Sequence, residues 1–373
     1  MAFGLSKSRF SPIAIDYGAD SLKLLQIIST DPPQLVAASA VPIPSEVRFN
    51  IALRNDFLGP ALQEGLRKAP FKGRRAILSI PAFQTLIQHL VIAQGNQEAL
   101  KGQVELQLRE RLNVDPSRMV IRHFSIGQIM RDGSAQEQVI CLAARRDTVM
   151  TYIDLANRSR LDVIGMHSEP VAMLRAFDHL FTNSGNSRTM CFVDIGAAVT
   201  KVVIAHGVQM VFAKTIQAGG DHMTRELATN HQMDFAEAQQ VRVANVASRT
   251  HKPKEFVGLA KMHPYGAVAS DHKDRRNETI ECIIDELQLC LRYHRSLFPE
   301  QQIEKLVFLG GEARDVQTCQ AIARSVRVAA QVGDPFARVS RLGHHKSAVG
   351  VNLNEPQPGW AVPLGLCFSE ANL

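Results

Sequence analysis

Two short stretches of the chain repeat one arrangement of reactive groups. In the first, an apolar run ends in Asp16-Tyr17-Gly18 and Lys23 follows; in the second, an apolar run ends in Asp194-Ile195-Gly196 and Lys201 follows. A strand that ends in Asp-x-Gly and turns tightly into the next strand has backbone N–H groups that can cradle a phosphate, because glycine removes the Cβ that would block approach. Its carboxylate can hold Mg²⁺ through water, which makes Asp16 and Asp194 the candidate metal residues. One such turn is commonplace. Two, each opening a matched unit, suit a phosphate chain that needs a cradle from each half. Lys23 is placed to face a phosphate, whereas Lys201 is expected to be solvated at a strand edge.

Three further pieces fit the same chemistry. The run 305–309 ends in Gly310-Gly311, where a flat ring can lie against bare backbone. Gly219 and Gly220 precede a helix, a place that suits an anion or a hinge. Glu169, in Ser168-Glu169-Pro170 before a helix expected over 171–181, is the candidate to position a water for attack on a terminal phosphate.

The elements that must position these groups are legible from period. Strands are expected at 11–18, 21–28 and 34–41 with a helix over 51–68, and again at 189–196, 199–205 and 208–215 with a helix from about 220. The recurrence implies two related halves. Between them, two strands broken by Pro81 within 75–92, a helix over 97–112, strands near 119–127 and 137–144, a helix near 146–159 and a strand near 161–167 predict an inserted α+β subdomain over 77–165. The organisation is therefore 1–76, the insertion 77–165, and 166–373, with a return of the C-terminal segment. A mobile loop is expected over 249–277, where His251, His263 and His272 sit among polar residues without period. Ile280, Ile283, Ile284, Leu287, Leu291 and Phe298 mark one face of a long helix, a further helix is expected near 313–325, and the tail 360–365 reads as a final strand.

Composition narrows the function classes. The 373 residues are 45% apolar and 21% charged, ordinary for a globular protein of two or three domains. The net charge of +6 is spread along the chain, and with one Trp and four Tyr a base-stacking surface is not expected, which argues against nucleic acid. No apolar run approaches the ~20 residues that span a bilayer and no signal peptide is recognisable, so a cytoplasmic location is expected. The six cysteines show no paired spacing and are expected to be reduced core residues.

Taken in order, these motifs resemble the actin-like ATPase superfamily, which includes actin, heat-shock chaperones, sugar kinases and FtsA. The resemblance implies an α/β fold of two duplicated ribonuclease-H-like halves with an inserted small α+β subdomain, binding ATP and Mg²⁺. It makes Gly18, Asp20, Ser21 and Lys23 the first phosphate motif, Gly196, Ala197 and Thr200 the second, Gly219 and Gly220 a connecting motif, and Gly310 and Gly311 the adenosine motif. Glu237 and Arg242 stand on the helix that contacts ribose, Arg242 where a Lys is usual. Asp16, Asp194 and Glu169 become the catalytic residues, while Ala19 and Asp20 stand where relatives favour small hydroxylated residues and Ala198 lacks a hydroxyl, so that nucleotide binding with at most slow hydrolysis is implied.

Within the superfamily the chain is similar to the PilM family of type IV pilus assembly proteins. Ser21-Leu22-Lys23-Leu24, Ile284-Asp285-Glu286-Leu287 with Arg292-Tyr293-His294-Arg295-Ser296, and Asp334-Pro335-Phe336-Ala337 carry this likeness. It implies a cytoplasmic scaffold, peripheral at the inner membrane, that binds the short N-terminal peptide of a PilN-like bitopic membrane protein, with pilus motor or platform proteins as further partners and homo-oligomers conceivable. The insertion, with Lys101, Arg109, Arg111, Arg118, Arg122 and Arg131, is the expected docking region. The alternatives are an FtsA-like cell-division protein or a small-molecule kinase of the same fold.

Overall fold

The computed structural model describes residues 10–131, 133–178, 188–250, 277–341, 348–349 and 351–373. All but the ends of the segment 249–277 lies outside the described residues. The chain divides into two compact units, one built from Met1–Pro81, Met150–Phe177 and Asp334–Leu373, the other from Ala82–Val149 and Asp178–Gly333.

In the first unit, β1 (Ile13–Tyr17), β2 (Ser21–Ile28) and β3 (Gln34–Pro42) form an antiparallel meander, and β1 continues on its other side into parallel pairing with β4 (Arg75–Ile80) and then β8 (Asp162–Ser168). Every residue of β1 is buried, as its position between two neighbours and two covered faces requires. A short helix α1 (Ser45–Arg48) precedes α2 (Ile51–Lys68), which starts where the Asn50 side chain accepts hydrogen bonds from the amides of Ala52 and Leu53. The stripe Arg54, Leu58, Ala61, Leu62 and Gly65 turns inward, and with Tyr152 and Leu155 of α4 (Arg146–Arg158) its leucines pack on Ile13, Ile15, Leu22 and Leu24. The helix expected over 171–181 is α5 (Glu169–Arg175), which begins earlier because Pro170 fits the first helical turn.

The tail is a correction. Residues 360–365 do not form a strand: α10 (Ala361–Cys367) is a helix buried along its whole length, and its Gly365 lies against the Ala172 carbonyl of α5. A fully buried helix has no polar face, so its short apolar run carries no period to separate it from a strand.

The second unit repeats the first. β9 (Thr189–Ile195), β10 (Thr200–His206) and β11 (Gln209–Ile216) form the antiparallel meander, and β9 pairs in parallel with β12 (Lys305–Leu309), which pairs with β13 (Ala330–Val332). The order β11-β10-β9-β12-β13 matches β3-β2-β1-β4-β8, and both second strands carry a register shift, at Gln26/Ile27 and at Ile204/Ala205. This is the duplicated α/β architecture expected from the two Asp-x-Gly turns. Helices α6 (Gly220–His231), α7 (Phe235–Thr250), α8 (Glu278–Leu297) and α9 (Val316–Val326) complete it, α8 turning Ile283, Leu287, Cys290 and His294 inward.

Within this unit β5 (Thr85–Ala93), β6 (Met119–Arg131) and β7 (Ser134–Arg145) form a separate sheet in the order β5-β7-β6. Helix α3 (Gln97–Leu112) covers one face, with Leu100, Val104 and Leu108 on Leu90, Ile92, Val139 and Cys141. The insertion is therefore narrower than 77–165. β4 and β8 pair inside the first sheet and α4 feeds the first core, because a parallel neighbour is what β1 needs to bury its second edge.

Cys282 is exposed; the other five cysteines are buried, and burial pushes the Cys141 and Cys367 thiols up to about 12. No described helix is long and apolar enough to cross a membrane.

Candidate functional site

The first turn is held from behind. Arg54, 1% exposed although charged, donates from Nη1 to the Ala19 carbonyl (3.0 Å) and from Nη2 to those of Tyr17 (3.1 Å) and Gly18 (2.7 Å). A planar trans peptide points its C=O and N–H in opposite directions, so the amides of Gly18, Ala19 and Asp20 face away from Arg54. Among the described residues none of these three amides donates within the protein. Asp16 is buried and accepts from Ser79 Oγ at 2.9 Å. Lys23 stands opposite Asp16 in the ladder, and its Nζ lies 3.7 Å from where a Gly18 Cβ would be, so the ammonium overhangs the turn. That same Cβ would sit 2.8 Å from the Ser21 carbonyl, which fixes glycine at 18. Asp20 is partly exposed and accepts from Ser21 Oγ at 3.0 Å.

The second turn reaches the same result by other means. Gly196 N–H donates to the Val199 carbonyl (3.0 Å), closing the turn, and the first amides of α6 hold its carbonyls: Gly220 N to Gly196 O (2.9 Å) and Asp221 N to Ala197 O (2.8 Å). The amides of Ala197 and Ala198 therefore point away from α6, and among the described residues they too donate to nothing. A Cβ on Gly219 would lie 2.6 Å from the Gly196 carbonyl. Gly219 and Gly220 thus serve the turn, since the helix N-terminal donors expected to meet an anion are spent on it. Thr200 is fully buried and its hydroxyl donates to the Ala218 carbonyl at 2.7 Å, so it anchors the approach to α6.

Lys201 is not at a solvated edge. It faces Asp194 across the ladder and its Nζ lies 2.8 Å from Asp194 Oδ2, with both side chains less than a tenth exposed. Burial of the strand pair on both faces leaves the ammonium little exposure to water. The parallel register of β12 on β9 brings Gly310 to the same carboxylate: with φ of +87°, it packs where a Cβ would collide with the Ile195 carbonyl and Asp194 Oδ1. Gly311 differs. It is exposed and nothing lies within 4 Å of its Cβ position.

Arg242 is committed inside the unit. Its guanidinium donates to the Gly220 carbonyl (2.8 Å) and Thr224 Oγ1 (2.8 Å) and pairs with Glu312 Oε2 (2.6 Å), and the Glu312 carboxylate lies against Gly220. Glu237 is exposed in the first turn of α7, its amide bonded to Asp234 Oδ1. Glu169 is buried at the start of α5 in the first unit.

A divalent cation fits this donor set poorly. The Asp194 carboxylate is matched by an ammonium on one oxygen and abutted by Gly310 on the other, Asp16 gives one oxygen to Ser79, and among the described residues no group of three His, Cys, Asp or Glu could hold an ion. Sequence reasoning did not single out Arg54, Ser79 or Glu312. Of these only Arg54 left a signal, a charge on the inward stripe of α2.

The family described as type IV pilus assembly protein PilM matches residues 14–251, and cell division protein FtsA matches residues 191–352. Among solved structures the chain is similar to the PilM-PilN type IV pilus biogenesis complex, with a TM-score of 0.72 at 19% identity over 96% of this chain and 98% of that one. It also matches ethanolamine utilization protein EutJ from Carboxydothermus hydrogenoformans, with a TM-score of 0.49 at 13% identity over 97% and 90% of the two chains.

Proposed function

Because the chain belongs to the PilM family of type IV pilus assembly proteins, we propose that it is a nucleotide-binding scaffold of the inner-membrane assembly platform, taking ATP on its two phosphate turns. The observation that carries this is the orientation of the turns. In each unit carbonyls of the turn are tied back, those of Tyr17, Gly18 and Ala19 by Arg54 and those of Gly196 and Ala197 by the α6 amides, and the amides of the same peptides face the other way. Such amide concavities bind anions. Lys23 adds a cation at the first turn, and Gly311 leaves backbone bare where a base can lie.

Hydrolysis is slow in this reading. Ala198 brings no hydroxyl to the second turn, Asp20 brings a negative charge to the first, and Glu169 is the one carboxylate assigned to positioning water. The bound nucleotide then acts chiefly on shape, preparing the protein to take the cytoplasmic N-terminal peptide of a PilN-like bitopic membrane protein. Arg118 and Arg122, exposed on the insertion, add attraction to anionic lipid beside that partner. Motor or platform proteins and further copies of the chain would assemble on this base.

Calorimetric titration of ATP into the purified protein, followed by fluorescence polarisation of a labelled PilN-type N-terminal peptide with and without ATP, tests both parts. Saturable binding of each is expected. Absence of heat with ATP removes the nucleotide reading, and a peptide that does not bind in either condition removes the partner.

A further inference from the structure

We infer that Lys201, rather than a divalent cation, is the resident positive charge of the second phosphate turn, so that nucleotide binds there without Mg²⁺ at Asp194. The inference rests on the nucleotide reading above and sharpens it.

Three features of the second unit converge. The antiparallel register places Lys201 opposite Asp194, and the side chains close into a 2.8 Å ion pair from which water is nearly excluded. A cation brought to Oδ2 would either sit against that ammonium or expel it, and an ammonium buried without its partner is strongly unfavourable. The second oxygen is hemmed on one side. Gly310 packs so closely against Oδ1 that a Cβ there would collide with it, so backbone takes one of the directions from which a hydrated Mg²⁺, with its several retained waters, would approach. The pair is also electrically neutral, so no unpaired carboxylate at this turn confronts an incoming phosphate and needs a metal to mask it.

The first unit is the internal contrast. Lys23 holds the matching ladder position opposite Asp16, yet its ammonium hangs over Gly18 while Asp16 accepts from Ser79. One repeat thus keeps its lysine at the mouth of the turn, and the other has folded it onto the carboxylate.

The test uses the full chain. ATP affinity is measured by calorimetry in excess Mg²⁺ and in excess EDTA, for the wild type and for Lys201→Met, which keeps the alkyl stem and removes the charge. The wild type should change by less than about threefold between the two conditions, and Lys201→Met should bind at least about tenfold more weakly in EDTA than in Mg²⁺. The wild-type comparison of Mg²⁺ with EDTA needs no variant and decides the inference in the case in which Lys201→Met does not fold. In parallel, Mn²⁺ alone is followed by electron paramagnetic resonance. The wild type should take up no ion that Asp194→Asn removes, whereas Lys201→Met should gain one. A wild type that loses tenfold or more in EDTA, or that binds Mn²⁺ through Asp194, overturns the inference. If ATP binds in neither condition, the nucleotide reading fails while the Mn²⁺ arm still decides the role of Lys201.

Discussion

Gly310 and Gly311 are neighbours with opposite duties, and exchanging each for alanine separates folding from binding. At Gly310 the backbone sits at φ of +87° and a Cβ would run into the Ile195 carbonyl and Asp194 Oδ1. With ψ of 172° this is backbone that essentially only glycine adopts and that costs an alanine about 1–3 kcal/mol, and forcing extra volume into a packed site adds about 1–3 kcal/mol. Gly310→Ala should therefore destabilise the second unit by about 2–6 kcal/mol, which for a unit of this size lowers its melting temperature by on the order of 5–20 °C. Gly311→Ala meets nothing within 4 Å and has no such φ, so its stability should stay within about 0.5 kcal/mol of the wild type. A methyl there stands where the base would lie, and ATP affinity should fall about tenfold, or about 1.4 kcal/mol. Differential scanning calorimetry and ATP titration of the two variants read both quantities. Equal melting of Gly310→Ala and wild type, or a Gly311→Ala that loses stability and keeps its affinity, would refute the division of roles.

Arg54→Met should destabilise the first unit by about 3–5 kcal/mol, because buried carbonyls lose their donor, and Arg54→Lys should not restore it, since one ammonium cannot fork to Tyr17, Gly18 and Ala19 as a guanidinium does. Urea denaturation checks this, and a midpoint unchanged in Arg54→Met removes the argument. The second concerns pH. Burial, and then the neighbouring His206 whose Nε2 lies 2.8 Å from its own, hold His294 down at about 4. The unfolded chain's histidine takes its proton near pH ~6.5, so stability should fall as pH drops from there toward 4 and level off once the folded form also protonates. His294→Gln should flatten the profile of melting temperature against pH across that window, and an unchanged profile would show that another group governs it.

The duplicated frame was readable because its signals are local. Each meander is three β-branched runs separated by Asp-x-Gly and a short turn, and the pairing that follows can hardly be drawn otherwise. The edges of the insertion were not readable: whether 75–80 and 162–168 belong to the insertion or to the first sheet depends on which strand they meet, and no period in either segment encodes its neighbour. Lys201 shows a subtler limit. Its match with Lys23 was visible, yet identical spacing led to one lysine closed on its carboxylate and one hanging over a glycine. Arg54 could have been found, because it stands in line with Leu58, Leu62 and Gly65 on a stripe otherwise without charge. Gly219 and Gly220 were expected to suit an anion or a hinge at a helix start; what packs against them in the second unit is the neighbouring turn at Gly219 and the Glu312 carboxylate at Gly220.

Helix α10 gives the chain an order of assembly. It is buried throughout, its Gly365 seats on Ala172, and the Cys367 thiol reaches the Leu25 carbonyl of β2, so the face of the first sheet that it covers waits for residues made 342 positions later. At about 5–20 residues per second, on the order of 20–70 s separate the emergence of β1 from that of α10. All of the second unit, complete by Gly333, leaves the ribosome in that interval. The unit that is begun first is thus finished after the second, and a chain stopped just short of Ala361 would carry the whole second unit and a first sheet without the helix that covers one of its apolar faces, a substrate for chaperones and proteases rather than a shortened scaffold.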